Sequence, residues 1–192
     1  MPRVSEAEKL KSHKRILDAA SQLFRERGIE ATSVSDVMKA AGLTHGGFYR
    51  HFDSKEALVS AAFKAAVDDV LESVESAPRG PQHLAARSDY ITRYLSAEHI
   101  EDRGQGCPLA ALGTELARHD GLANDAAWNA VERMAQTLVA DDPSARELGY
   151  ATMALLLGTV TLARLAGSRA EAQSILDAGK SGERLLEQHW PR

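Results

Sequence analysis

Apolar residues recur three and four positions apart along almost the whole chain. No stretch alternates apolar and polar residues with the β-branched enrichment of a strand. That period admits helices and little else, and Ala, Leu, Glu and Arg, which helices accommodate readily, are plentiful. The reading is all-α, with about nine helices.

The first helix is predicted over about residues 7–27, with an apolar stripe of Leu10, Ile16, Leu17, Ala20, Leu23 and Phe24 and a terminating Gly28. Thr32 and Ser33 suit the N-cap of a second helix whose inward face is Val34, Val37, Met38 and Ala41. Gly42 interrupts, and Thr44 is placed to cap a short helix over 45–51. Ser54 caps a fourth helix, with Glu56 in the first turn where the dipole favours a carboxylate, and with Leu58, Ala61, Ala62, Ala65 and Leu71 at helical spacing. Pro78, Arg79, Gly80 and Pro81 then break the chain at about residue 77. Further helices are expected near 82–99, 108–119, 122–140, 144–166 and 169–188, separated by Gly104, Gly106, Gly121, residues 141–143 and Gly167.

Composition excludes several classes. A single cysteine, Cys107, rules out an internal disulfide and suits a reducing compartment. The N-terminus MPRVSEAEKLKSHKR has no apolar stretch, so a cytoplasmic location without a secretory signal is expected. The most apolar segment, 150–166, contains Arg164 and falls short of the roughly 20 residues of a membrane span, so it reads as a helix buried nearly all round and no membrane partner is expected. His-Glu-x-x-His, Cys-x-x-Cys and Gly-x-Ser-x-Gly are all missing, and no two of the seven histidines stand four apart. Gly104-Gln105-Gly106 follows no strand and lacks a third glycine. The expectation is no enzyme, no cofactor and no metal.

The net charge of -4 hides a division. Residues 1–66 carry 11 Lys and Arg against 8 Asp and Glu, a net of +3, whereas 67–192 carry 12 against 19, a net of -7. One part is suited to meeting an anion. Within it, residues 32–55 read TSVSDVMKAAGLTHGGFYRHFDSK. A capped helix, a tight turn at Gly42 and a second short capped helix make a helix-turn-helix, whose second helix enters the DNA major groove. Leu43, Phe48 and Phe52 would be its buried side; Thr44, His45, Gly47, Tyr49, Arg50 and His51 its polar, partly cationic outer side.

The stretch GLTHGGFYRHFDSKEAL resembles the signature of the TetR family of one-component bacterial regulators, and residues 12–62 resemble that family's DNA-binding domain. The resemblance implies residues 1–66 as a helix-turn-helix domain and 67–192 as an effector-binding and dimerisation domain. It also implies a homodimer, a palindromic double-stranded operator, and a small-molecule effector that releases DNA, most often from a repressor. Beside it, the residues suggest roles. Ser33 and Ser35 open a helix where phosphate binds, Tyr49 and His51 offer donors to phosphate oxygens, and Lys55 adds a point charge. Thr44 and His45 are base-reading candidates; Arg50 either pairs with guanine or holds a phosphate. The paired glycines Gly46 and Gly47 depart from the family pattern and suit a close backbone approach to DNA. Arg3, Lys9, Lys11 and Lys14 form either an arm over DNA or a solubilising charge diluted by Glu6 and Glu8.

In the second part, Tyr90, Tyr94, Leu109, Leu112, Trp128, Met134, Tyr150 and Met153 are candidates for lining an organic-ligand pocket, with Glu115 and Arg118 either orienting a polar group or pairing at the surface. Leu155, Gly158 and Leu162, with Ile175, Leu176 and Leu185, suit the paired helices of a two-fold interface that the family resemblance implies. Pro108 fits a first helical position, which places Cys107 at the N-cap, where the dipole lowers a thiol pKa. A regulator switched by electrophile or oxidant at Cys107 is the alternative to a ligand-released one; the other reading of Cys107 is a small buried residue with no redox role.

Overall fold

The computed structural model describes residues 6–118, 120–139 and 145–190. Arg3 and the break expected at 141–143 lie outside them. The described chain contains helices and no strand. Nine are α-helical: α1 (Glu6–Arg27), α2 (Val34–Ala40), α3 (Lys55–Glu75), α4 (Pro81–Tyr94), α5 (Ala97–Glu101), α6 (Pro108–Leu116), α7 (Leu122–Leu138), α8 (Arg146–Leu165) and α9 (Arg169–His189). A 3-10 helix over His45–Arg50 stands between α2 and α3. The single helix expected over 82–99 is two. The Ser96 hydroxyl accepts from the His99 amide and starts α5 anew, after Leu95 leaves helical geometry.

The α3 helix, about 30 Å long by its 21 residues, joins the two halves. It buries Leu58, Val59, Ala62, Phe63, Val67 and Leu71, packing on α1 along one side and on α7 along the other. The Pro78–Pro81 break is thus a turn between α3 and α4, with Gly80 at φ +95° and Pro81 opening α4. Leu10, expected in the α1 stripe, is 63% exposed, because the buried residues of α1 begin only at Ile16.

The α8 helix departs from the expectation of burial all round. It is 20 residues, long and apolar enough to cross a membrane by length and composition. One face, with Gly149, Thr152, Leu156 and Val160, packs inside the bundle. The opposite face leaves Leu162 and Leu165 exposed. Small residues set the close approaches: a Cβ on Gly149 would run into the Ala135 carbonyl of α7, and one on Gly179 would lie 2.5 Å from Thr159 of α8.

One polar cluster closes the bundle. Arg87 on α4 is buried; its Nε donates to the Leu138 carbonyl at 2.5 Å and its Nη1 to Glu187 at 2.8 Å, with buried Glu183 3.5 Å from Nη2. Burial pushes the Glu183 carboxyl up, and Arg87 opposes that shift. Arg87→Met should lower stability in urea denaturation by roughly 3 kcal/mol, the low end for a broken buried pair because Glu187 still meets water. Adding Glu183→Leu should restore most of it. A double variant as unstable as the single one would refute the pairing.

Candidate nucleic-acid interface

The helix-turn-helix is built by local hydrogen bonding. Ser33 caps α2: its hydroxyl accepts from the Asp36 amide, and the Asp36 carboxylate accepts from the Ser33 amide at 3.0 Å. Gly42, at φ +66°, ends α2; Leu43 N–H donates to Met38 O at 2.8 Å and Gly42 N–H to Lys39 O at 3.0 Å, the paired bonds of a glycine-terminated helix. The chain turns there into the 3-10 segment.

That segment is fixed from beneath. Phe48 is 1% exposed and stacks with Phe52 at 5.9 Å, and the His13 ring of α1 stacks on Phe52 at 4.8 Å. Leu43 completes the contact as a half-buried residue. Outward stand Thr44, His45, Tyr49 and Arg50, all exposed, with Gly47 half-buried. Two expectations change here. Thr44 occupies the N-cap position in extended conformation without a side-chain capping bond, and the short helix is 3-10 rather than α. Gly46 and Gly47 remove helix propensity at its start, and six residues cannot offset nucleation.

The phosphate candidates divide. Ser35 is exposed. The Ser33 hydroxyl is committed, since it also donates to the Asp36 carboxylate at 2.5 Å, so an anion at the start of α2 would have to displace Asp36. Lys55 is half-buried, with Nζ donating to the Ile29 carbonyl at 2.6 Å; its charge is held in the loop before α2 rather than extended into solvent. His51 is half-buried with Nδ1 unpartnered. Burial, then nearby His13, Lys9 and Arg50, lowers its pKa, so it is a neutral imidazole near pH 7. Of the basic arm, Lys11 pairs with Glu8 and Lys14 with Asp18 on α1 itself, which diminishes it as a DNA contact.

On the other side of α1, a cleft of about 930 Å³ opens between α1, α3, α4, α5 and the loop before α6. Of the predicted pocket residues, Tyr90, Tyr94 and Cys107 line it. The rest do not, because helix phase turns them elsewhere. Trp128 is 57% exposed; Leu109, Leu112, Met134 and Met153 are core; and Tyr150 points its hydroxyl at Glu132, with Arg146 over its ring. Sequence reasoning missed Arg25 and His99, polar residues on helices that gave no pocket signal. Arg25 is buried, its Nη1 donating to the Gly106 carbonyl at 2.9 Å. His99 donates from Nδ1 to the Tyr94 carbonyl at 2.6 Å and accepts from the Cys107 amide at Nε2, 2.9 Å, which fixes a neutral tautomer; burial lowers its pKa. Cys107 does occupy the N-cap of α6 with Pro108 following, but it is 2% exposed and burial raises its thiol pKa. Amides of Leu109 and Ala110 pull the other way and lose to desolvation. The expected low-pKa thiol is thus corrected.

Glu115, read as a ligand-orienting residue, serves the interface instead. Its carboxylate on α6 accepts from the Ile29 and Glu30 amides at 3.0 and 2.9 Å, holding the loop between α1 and α2. Glu56 at the start of α3 likewise accepts from the Leu122 amide of α7 at 3.0 Å, and Ser60 donates to the Leu122 carbonyl.

The family model for bacterial regulatory proteins of the tetR family matches residues 16–62. An uncharacterised helix-turn-helix transcriptional regulator of Mycobacterium tuberculosis is 30% identical over 166 residues, 79% of this chain and 83% of that protein. The chain belongs to the TetR family. Members of that family are helix-turn-helix transcriptional regulators and not enzymes. The transcriptional repressor KstR2 of Rhodococcus jostii is 47% identical over 55 residues, 29% of this chain. Over KstR2 and four further relatives the match spans only 27% to 50% of the relative's length. Among solved structures, a TetR regulator from Chloroflexus aurantiacus superposes with TM-score 0.75 at 25% identity, covering 95% of this chain and 98% of that one. Reduced Escherichia coli NemR shares the fold, with TM-score 0.68 at 19% identity over 91% of this chain and 97% of its own.

In this TetR-family regulator nothing lies within 4 Å of a Cβ built on Gly46, and neither Gly46 nor Gly47 has positive φ. The fold does not require either glycine. Gly46→Ala should therefore keep or raise thermal stability, by up to about 1 kcal/mol, while lowering DNA affinity in a gel shift. Unchanged affinity would show that the backbone there does not approach DNA.

Proposed function

We propose that this regulator is a repressor that binds a palindromic operator as a homodimer and is released when a small molecule occupies the cleft. Residues 1–66 are the DNA-binding part and 67–192 the effector and dimerisation part. The observation that carries the reading is the rigid seating of the His45–Arg50 segment on Phe48 and Phe52 with Thr44, His45, Tyr49 and Arg50 exposed together. Hydrogen-bonding groups held on a fixed segment can read base edges. KstR2 and DhaR, both repressors, are among the relatives, which supports repression. The buried, raised-pKa thiol of Cys107 favours occupancy of the cleft over thiol modification as the switch.

The dimer reading rests on the outer faces of α8 and α9. Gly158 and Leu162 stand one turn apart and exposed, Leu165 and Leu185 are exposed beside them, and Leu155 and Ile175 are half-buried. Leu176 belongs to the chain's own core at 1% exposure and leaves the proposed interface. Among the described residues nothing lies within 4 Å of a Cβ on Gly158. Pairing two such faces would make a four-helix interface and set the reading segments about 34–36 Å apart. Gly158→Trp should give a helical monomer in sedimentation velocity that no longer shifts operator DNA. A Gly158→Trp protein that stays dimeric sinks this placement.

The operator reading is tested by gel shift at fixed salt, using the inverted repeat of the adjoining promoter against unrelated DNA of equal length. At least about a thousandfold preference is expected, and equal binding would mean an architectural protein. Arg50→Ala should relax discrimination at one base pair by about 1–3 kcal/mol. Uniform weakening across all sequences would reassign Arg50 to a phosphate.

A further inference from the structure

Two hydroxyls in the cleft are buried and have no partner. Tyr90 and Tyr94 stand one turn apart on α4, 6% and 5% exposed, with ring centroids 5.8 Å apart, and neither phenol oxygen has a hydrogen-bond partner. Buried polar groups left unpaired are uncommon and mark an absent ligand or strain. Burial holds both phenols well above their ordinary pKa, so they remain O–H donors. Of the neighbouring polar groups, Arg164 keeps an unpartnered Nε, itself a donor, while His99 and Arg25 are engaged. Both His99 nitrogens are used, and Arg25 is bonded to the carbonyls of Ser21 and Gly106. The Cys107 thiol interacts with the Tyr94 hydroxyl, but a thiol sulfur is only a weak acceptor.

The two phenols therefore want an acceptor. A carbonyl oxygen offers two lone pairs and can accept from both hydroxyls at once, whereas an alcohol or amine that did so would still have its own proton to place. The mouth adds a second constraint. Asp69, Glu72, Glu98 and Asp102 line it and are exposed; the cations on the lining are Arg25, which is buried, and Arg93, which is exposed and bonded to Ser73. Four carboxylates at the entrance disfavour an approaching anion.

We propose that the cleft takes a neutral, largely apolar carbonyl compound, its oxygen held by the Tyr90 and Tyr94 hydroxyls, and turns away carboxylates of the same shape. The inference rests on the reading of this cleft as the effector site. Three matched probes separate its parts. Benzylacetone carries the ketone, hydrocinnamate replaces its methyl with a carboxylate oxygen, and n-butylbenzene keeps the outline without an acceptor.

Ligand-detected titration of the full-length protein should give benzylacetone the highest affinity, with each of the other two at least about tenfold weaker. Tyr90→Phe and Tyr94→Phe should each weaken benzylacetone about three- to tenfold, the worth of one neutral hydrogen bond. Neither variant should lower the Tm of the unliganded protein, since each removes an unpaired buried hydroxyl. A hydroxyl with only a structural role would move Tm and leave ketone affinity alone. Equal binding of hydrocinnamate, equal binding of n-butylbenzene, no benzylacetone binding, or Phe variants that bind as the wild type does would each overturn the inference. Operator affinity is measured in parallel. Ketone binding without operator release refutes the effector reading and spares the ligand assignment. Operator release by other compounds, with no ketone binding, does the reverse.

Discussion

The Glu115 carboxylate holds the backbone on which the rest of this structure turns. Where α1 ends and α2 has yet to begin, the amides of Ile29 and Glu30 have no helical partner, and an unpaired amide away from water is costly. Both are answered from α6, 85 and 86 residues further along the chain. The same loop gives its Ile29 carbonyl to Lys55 and its Gly28 carbonyl to Thr32. Gly28, at φ +87°, leaves room for the carboxylate: a Cβ there would lie 3.2 Å from Glu115 Oε2. The placement of α2, and through Gly42 that of the reading segment, is thus set partly by a helix outside the DNA-binding part.

A second tie runs beside the first. Arg25 on α1 lines the cleft and bonds the Gly106 carbonyl, one residue before the cysteine that starts α6. A molecule seated against Tyr90 and Tyr94 therefore shares a wall with α1. The route from cleft to DNA is short: Arg25 and Gly106 at the wall, α6 behind them, Glu115 near its end, and the loop that orients α2. A shift of α6 must either carry the loop with it or leave two amides unpaired. That is a differential contact of the kind a ligand needs to move an equilibrium between states.

How much of this was legible in the sequence follows the range of the interactions. The helices, the Gly42 turn, the Ser33 and Ser54 caps and the anchors Phe48 and Phe52 are encoded within a few residues of each other, and their spacing exposes them. The capping box of Ser33 with Asp36 was equally local, yet its consequence, a hydroxyl already committed, shows only in the geometry. Arg87, Arg25 and Glu115 carry no local signal of their role, since the partners that tie them to other helices and loops lie between 51 and 100 residues away. Trp128 and Tyr150 illustrate the converse. Aromatic character suggests a pocket, but helix phase decides which face meets it, and a shift of one or two residues sends a side chain to solvent.

The uneven charge acquires two meanings. A net of +3 over residues 1–66 is small for a DNA-binding part, and some of it is neutralised locally by Glu8 and Asp18 or held inward at Lys55. Bulk attraction to phosphate is correspondingly weak, so affinity has to come from fit: a close backbone at Gly46 and Gly47, and side chains fixed above Phe48. The net of -7 over the remainder includes the carboxylates at the mouth of the cleft. A surplus of one sign repels DNA from that side of the molecule and repels anionic ligands from its entrance. On the proposed reading, one distribution of charge acts on both partners, directing the polyanion to the reading segment and leaving the cleft to neutral molecules.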